Sequence, residues 1–232
     1  MAFLRGFLAP APLIGLVAAD LLAVSAAVGG GWSWPAAIVF VIVYGGLSMA
    51  ASGWLAARAP ASFAVRRQKW VARKGETQPL VDALGLGFYM AFFLAWFAFL
   101  PLDVFRLHLL PEPPRWLEVL GLGGVIAGLA VVYTAVAQNR FAAPTIHEQA
   151  GQTVVSTGLY GVVRHPFYGG MLLVYLGAAL WLGSYAGAIA ASGFLIMTLA
   201  RISIEERWLR AHLPDYPAYA QRVRSRLIPF VI

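Results

Sequence analysis

The stretch GLYGVVRHPFYGG, residues 158–170, lies between two apolar runs of membrane length and is the densest cluster of special residues in the chain. Its glycines loosen the backbone, while Pro166 fixes its own φ and biases His165 away from helix. Tyr160, Arg164, His165 and Tyr168 add hydrogen-bond donors, positive charge and aromatic faces. A polar, non-helical loop beside membrane spans is tolerated only where protein or a water-filled cavity surrounds it. The stretch therefore reads as a loop that holds a ligand. The competing reading is a plain turn between spans, because Arg-His-Pro by itself is a short match.

Composition sets the frame for that loop. The chain has 232 residues, 60% hydrophobic and 12% charged, with a mean hydropathy of +0.74. Ordinary globular chains are about 25% charged. The expectation is one all-α polytopic integral membrane unit with no separate soluble domain. There is no cysteine, which excludes disulfides, thiolate metal sites and a cysteine nucleophile. The four histidines, His108, His147, His165 and His212, show no metal-ligand spacing, so no metal is expected.

Outward from the loop, apolar runs predict spans at about 12–28, 36–57, 80–100, 116–137, 167–182 and 185–202. The fifth is short for a full crossing, which leaves a count of five to six. The fifth and sixth, separated by Gly183-Ser184, are expected to pair as a C-terminal helical hairpin. The first run contains Asp20, an intramembrane carboxylate and hence a functional candidate. A cleavable signal around Ala23–Ala27 is the alternative reading of that run. Small residues of the second run, among them Gly45, Ser48 and Gly53, would let another helix approach closely. Residues 58–79 and 101–115 read as polar connections. The division expected is 1–79, the first two spans and a basic loop, and 80–232, the remaining spans, with a catalytic region at about 140–232.

The net charge of +7 raises the question of nucleic acid. The placement of the charges answers it. Six spans with both ends cytosolic leave only Arg106 and Arg115, of 17 Lys and Arg residues, on the far side. The basic pI follows from membrane orientation, and no nucleic-acid partner is expected. The same orientation puts the Arg-His-Pro loop and the C-terminal tail on one side, where they can meet.

That tail carries a second constellation, Arg201-Ile202-Ser203-Ile204-Glu205-Glu206-Arg207. On a helix Arg201 and Glu205 share a face. They read either as a snorkelling pair at a membrane boundary or as an anion clamp beside a carboxylate that accepts ligand hydrogen bonds. Beyond them, Tyr216, Tyr219 and a segment mixing arginines with Ile228-Pro229-Phe230 suit a tail lying against lipid headgroups.

Taken in order, these features are G-x-Y-x-x-x-R-H-P-x-Y-x-G, an apolar hairpin, R-x-x-x-E-E, Y-x-x-Y and I-P-F. That order resembles the isoprenylcysteine carboxyl methyltransferase family over roughly the last 90 residues; the first 140 match only as apolar spans. The resemblance implies an integral membrane enzyme using S-adenosylmethionine (SAM), without a dinucleotide-type fold. It implies cofactor contacts at Gln152, Thr153, Val154, Val155, Tyr160, His165, Pro166, Phe167, Tyr168 and Glu205, and substrate-carboxylate binding by Arg201. Arg201 and Glu205 are the implied catalytic pair. One position departs from the family, which often has His where this chain has Gln152; His147 is near enough in sequence to compensate.

The expected function is SAM-dependent carboxyl O-methylation of a prenylcysteine-like or other lipid-like carboxylate at a membrane bilayer. Phospholipid N-methyltransferases and small-thiol S-methyltransferases share parts of the signature, but an amine acceptor would not favour Arg201 beside it. NADPH-dependent sterol-type reductases share R-H-P-x-Y-x-G but usually carry Asn and Glu around it, where this chain has Phe167 and Met171. A transporter or scaffold would carry more polar residues at depth.

Overall fold

The computed structural model describes residues 1–66, 80–143, 149 and 151–231. Every regular element among them is helical. In chain order the α-helices are α1 (Ala2–Leu8), α2 (Ala11–Ala27), α3 (Pro35–Arg58), α4 (Pro60–Arg66), α5 (Leu80–Leu102), α6 (Arg115–Gln138), α7 (Pro166–Trp181), α8 (Tyr185–Ala190), α9 (Ser192–His212) and α10 (Tyr216–Arg222). A π-helical turn, Asp103–Leu107, extends α5, and a 3-10 turn, Gly158–Gly161, precedes α7. Prolines open α3, α7 and α10, where a missing N–H costs nothing.

Five segments are long and apolar enough to cross a membrane: Ala2–Ala27, Pro35–Arg58, Leu84–Leu107, Arg115–Gln138 and Tyr185–His212. The protein is thus an all-α polytopic membrane protein. Helix α7, with 16 residues, is shorter, yet it lies antiparallel along α6. It also packs on α9, as the expected C-terminal hairpin requires, with Tyr175 stacked on Phe194; the still closer approach to α6 was not foreseen from the sequence. The reason is a glycine seam. A Cβ added to Gly121 would meet Gly177 O at 2.7 Å, and one added to Gly128 would meet Gly170 O at 2.7 Å. Glycines seven residues apart on each helix fall on one face, and only their missing side chains let the backbones touch. The small residues of α3 play the same part for α1 and α2: Gly53 faces Phe3, and Gly45 faces Ile14.

The buried core is aromatic, with Phe40, Trp96, Tyr175 and Phe194 among its largest side chains. Tyr175 and Phe194 stack at 4.0 Å, and Trp96 Nε1 donates to Gly187 O at 2.8 Å. Ser25, in the run read alternatively as a signal, is buried and donates to Gly31 O at 3.0 Å.

One end of the bundle is closed by Asp103. The sequence placed residues 101–115 in a polar connection, but the helix runs through Pro101 into the π turn. Asp103 is buried there, accepting from Ser184 Oγ at 2.6 Å and from Leu109 N at 3.0 Å. Those bonds make a helical continuation cheaper than a loop. Trp181 Nε1 donates to Ala36 O at this same end, at 2.7 Å. Arg58, Gln138, the Arg-His-Pro loop and the end of α9 gather at the other end. Of the expected polar connection at 58–79, residues 67–79 lie outside the described residues, as does His147.

Candidate functional site

The Arg-His-Pro loop is held by backbone and charge together. Gly158, at φ +60°, opens the 3-10 turn, and the amide of Leu159 donates to Gln138 Oε1 at 2.9 Å, tying the turn to the end of α6. Next, the backbone N–H groups of Arg164 and His165 donate to Ser225 O at 2.9 Å and Arg226 O at 2.8 Å. The Arg164 guanidinium reaches the same segment through Nη1, donating to Val223 O at 2.7 Å and Arg224 O at 2.8 Å. The extended tail after α10 is thus fastened edge-on to the loop.

Glu206 is the charge at the centre of this frame. It is 3% exposed, and its Oε1 accepts from Arg164 Nε at 2.7 Å, with His165 Nε2 at 3.2 Å. Arg226 Nη2 lies 3.4 Å from Oε2, and Arg210 stands at 4.0 Å. A carboxylate this buried is tolerable only with such partners. Successive residues on a helix point about 100° apart. Glu206 therefore faces the loop, while its neighbour Glu205 faces a cavity.

The cavity has a volume of about 120 Å³ and opens to solvent. Tyr168 lies at its centre, in the first turn of α7. Its hydroxyl donates to Glu205 Oε2 at 3.0 Å and accepts from Arg201 Nε at 2.8 Å. The Arg201–Glu205 face expected from their spacing is therefore organised around a phenol from another helix. The floor is set by Tyr219, whose hydroxyl donates to Tyr160 O at 2.8 Å. Burial pushes the Tyr219 phenol above its ordinary range, followed by the influence of Tyr160. Burial does the same to Tyr216, with the Glu206 carboxylate adding to it. Both phenols stay protonated near neutrality and act as neutral hydrogen-bonding groups.

Ten of the eleven residues singled out by sequence line this cavity: Gln152, Thr153, Val154, Val155, Tyr160, His165, Phe167, Tyr168, Arg201 and Glu205. Pro166 does not; it is buried at the start of α7, where its ring aims the helix. Asp20 lies outside the cavity, half-exposed on α2, with Oδ2 lacking a hydrogen-bond partner.

Several lining residues were not assigned to the site from the sequence, among them Asn139, Phe141, Trp208 and Tyr216, the last expected against lipid headgroups but buried at 4% exposure. Trp208 stacks on His212 at 4.2 Å. Tyr216 and Gln152 share a property that sequence cannot reveal: the Tyr216 hydroxyl and Gln152 Oε1 are both buried without a hydrogen-bond partner. Two such atoms in one cavity mark positions where a ligand's polar groups would fit. The only signal for Tyr216 was its place in Pro214-Asp215-Tyr216-Pro217-Ala218-Tyr219. Among the described residues, no group of three or more His, Asp or Glu side chains is placed to hold a metal ion.

Known proteins agree with this region. The phospholipid methyltransferase family model matches residues 116–215, which take in nearly all of α6, the loop, α7, α9 and the cavity lining apart from Tyr216 and Tyr219. A protein-S-isoprenylcysteine O-methyltransferase B of Arabidopsis thaliana is 33% identical over 121 residues, 50% of this chain and 61% of that protein. The cobalt-zinc-cadmium resistance protein CzcN of Cupriavidus metallidurans is 33% identical over 96 residues, 41% of this chain and 44% of that protein. This chain therefore spans less than two thirds of either relative. Residues 116–215, which carry most of the cavity lining, are thus similar to the phospholipid methyltransferase family and, in part, to an isoprenylcysteine methyltransferase.

Proposed function

We propose that the cavity binds SAM and that the protein transfers its methyl group to the carboxylate of a lipid-like acceptor, of the prenylcysteine kind. The observation that carries this reading is the Arg201–Tyr168–Glu205 relay, in which a cation and a carboxylate are fixed on either side of one phenol, facing one cavity.

The lining residues suit SAM. Glu205 offers negative charge for a cationic ligand. Gln152 Oε1 and the Tyr216 hydroxyl offer hydrogen bonds that nothing among the described residues satisfies. Phe167, Tyr160 and Trp208 offer apolar and aromatic surface. When bound, SAM supplies a methyl group on a positively charged sulfur, open to in-line attack. A carboxylate of ordinary pKa, near 4, is already ionised at neutral pH, so the residues need not include a general base. Their work is positioning. Arg201 orients the acceptor carboxylate through its forked N–H donors. Tyr168 holds Arg201 and Glu205 in register, and the buried frame of Arg164, His165 and Glu206 keeps the loop and tail from separating. Arg201 stands where the apolar part of α9 gives way to charge, a level that an acceptor anchored in the bilayer can reach. An amine acceptor would meet the Arg201 charge unfavourably, which supports the carboxylate over the N-methylation reading. The positive-inside rule supports a cytosolic location for this end of the bundle, and with it both termini.

Titration calorimetry on the detergent-purified protein tests the class, with SAM and NADPH titrated separately. Micromolar SAM binding without NADPH binding is expected. NADPH binding alone would move the protein to the reductases. Labelled-methyl transfer to a panel of prenylcysteine, phospholipid and small-thiol acceptors then tests the substrate, and transfer to amines alone would overturn the carboxylate assignment.

A further inference from the structure

The C-terminal turn presents apolar side chains that no part of the described fold covers. Phe230 is 99% exposed, Val231 72% and Ile228 50%. Exposed apolar residues on a spanning helix face lipid, but these three lie beyond α10, outside every span. The exposure is built in. Phe230 adopts φ +64°, a left-handed conformation rare for an aromatic residue. Two hydrogen bonds hold it there, Phe230 N to Ser225 Oγ at 2.8 Å and Val231 N to Ile228 O at 3.2 Å. The turn's own hydrogen bonds thus hold Phe230 outward in a sparsely populated backbone conformation.

The level of this turn in the bundle indicates what these side chains meet. Leu227 lies against the first turn of α7: a Cβ on Gly169 would stand 3.0 Å from Leu227 O. Helix α7 enters the apolar layer from that turn, so residues 228–231 emerge at the boundary between hydrocarbon and water. Two exposed arginines, Arg222 and Arg224, precede the turn, and no acidic residue lies between Asp215 and the last residue. Apolar side chains beside exposed arginines at membrane level complement anionic lipid.

We propose that residues 228–231 seat in the headgroup layer of the protein's own bilayer, with Arg222 and Arg224 selecting anionic lipid. The seat matters because the same segment is the one fastened to Arg164 and His165 through residues 223–226. Lipid contact at the turn holds the tail against the loop that frames the cavity. The inference does not depend on which reaction the cavity performs.

The 232 residues contain no cysteine, so Val231→Cys gives them a single labelling site. The variant, carrying an environment-sensitive nitrobenzoxadiazole label, is reconstituted in nanodiscs of phosphatidylcholine alone or with about one third phosphatidylglycerol. Lipids brominated near the headgroup serve as quenchers. The expected result is quenching in both discs, with the label more fully seated in the anionic one. Each arginine near an anionic surface contributes roughly fivefold to partitioning, so Arg222→Gln with Arg224→Gln should remove most of the difference while leaving the turn intact. An unquenched, water-like label in both lipids overturns the proposal. Equal quenching in both lipids overturns the anionic selectivity it asserts.

Discussion

Replacing Tyr216 by Phe removes one oxygen atom and separates a binding role from a structural one. The Tyr216 side chain is 4% exposed, and its hydroxyl has no partner among the described residues. Its ring packs edge-on against Tyr219, with centroids 5.7 Å apart, and the Arg210 guanidinium lies 5.9 Å from the ring centre. Phe keeps both contacts. A buried polar group left unsatisfied costs about 1–3 kcal/mol, so deleting the hydroxyl should leave the thermal midpoint unchanged or raise it. The effect on binding has the opposite sign. A neutral buried hydrogen bond contributes about 0.5–1.5 kcal/mol net, which corresponds to a loss of roughly 2- to 12-fold in SAM affinity. Thermal unfolding of the detergent-purified protein and SAM calorimetry on the same preparation read both quantities. A lowered midpoint with unchanged SAM affinity would refute the reasoning, because it would mean that the hydroxyl serves the fold and not the ligand. If wild-type protein binds no SAM, the cofactor assignment fails before this variant is informative.

The adjacent glutamates should behave differently. Glu206→Gln leaves the buried Arg164 guanidinium without its counter-charge and should cost about 3–5 kcal/mol, seen as a fall in thermal midpoint with ligand binding lost alongside. Glu205→Gln should weaken SAM binding with little change in the midpoint; identical behaviour of the two variants would contradict their opposite facing. On α6, Gly128→Leu should collapse the folded yield, since even a Cβ there meets Gly170 O at 2.7 Å. Gly123→Ala, with nothing within 4 Å, should be neutral or gain up to about 1 kcal/mol from helix propensity, and a large loss there would undermine the seam. Arg201→Lys should raise acceptor KM or lower turnover more than it affects SAM affinity, because Lys lacks the fork; a defect confined to SAM binding would reverse the roles given to Arg201 and Glu205. A maleimide label at Ala142→Cys should react only from the cytosolic side, and reaction from outside would invert the orientation.

Local and periodic features were legible in the sequence. Runs of apolar residues declared the helices, because a backbone in hydrocarbon must satisfy its own hydrogen bonds and a helix does so within one segment. The order of Arg-His-Pro-x-Tyr and Arg-x-x-x-Glu-Glu pointed to the polar heart of the cavity, His165, Tyr168, Arg201 and Glu205, because both motifs sit where spans give way to polar chain. What pairs with what was only partly written there. The pairing of α7 with the helix that follows it was legible and holds through Tyr175 and Phe194, but its closer packing against α6 through Gly121, Gly128, Gly170 and Gly177 was not. A glycine shows an absence of side chain but not which backbone will fill the space. Asp103 looked like part of a polar connection until Ser184, 81 residues away, provided its hydrogen bond. The two glutamates are indistinguishable as letters, and only the rotation of α9 turns Glu206 to the buried frame and Glu205 to the cavity. The sequence by itself determined a helical membrane chain and the chemical types at its polar end. The tertiary structure decided the partners, because close approach, burial and an unmet hydrogen bond belong to pairs of groups brought together from distant parts of the chain.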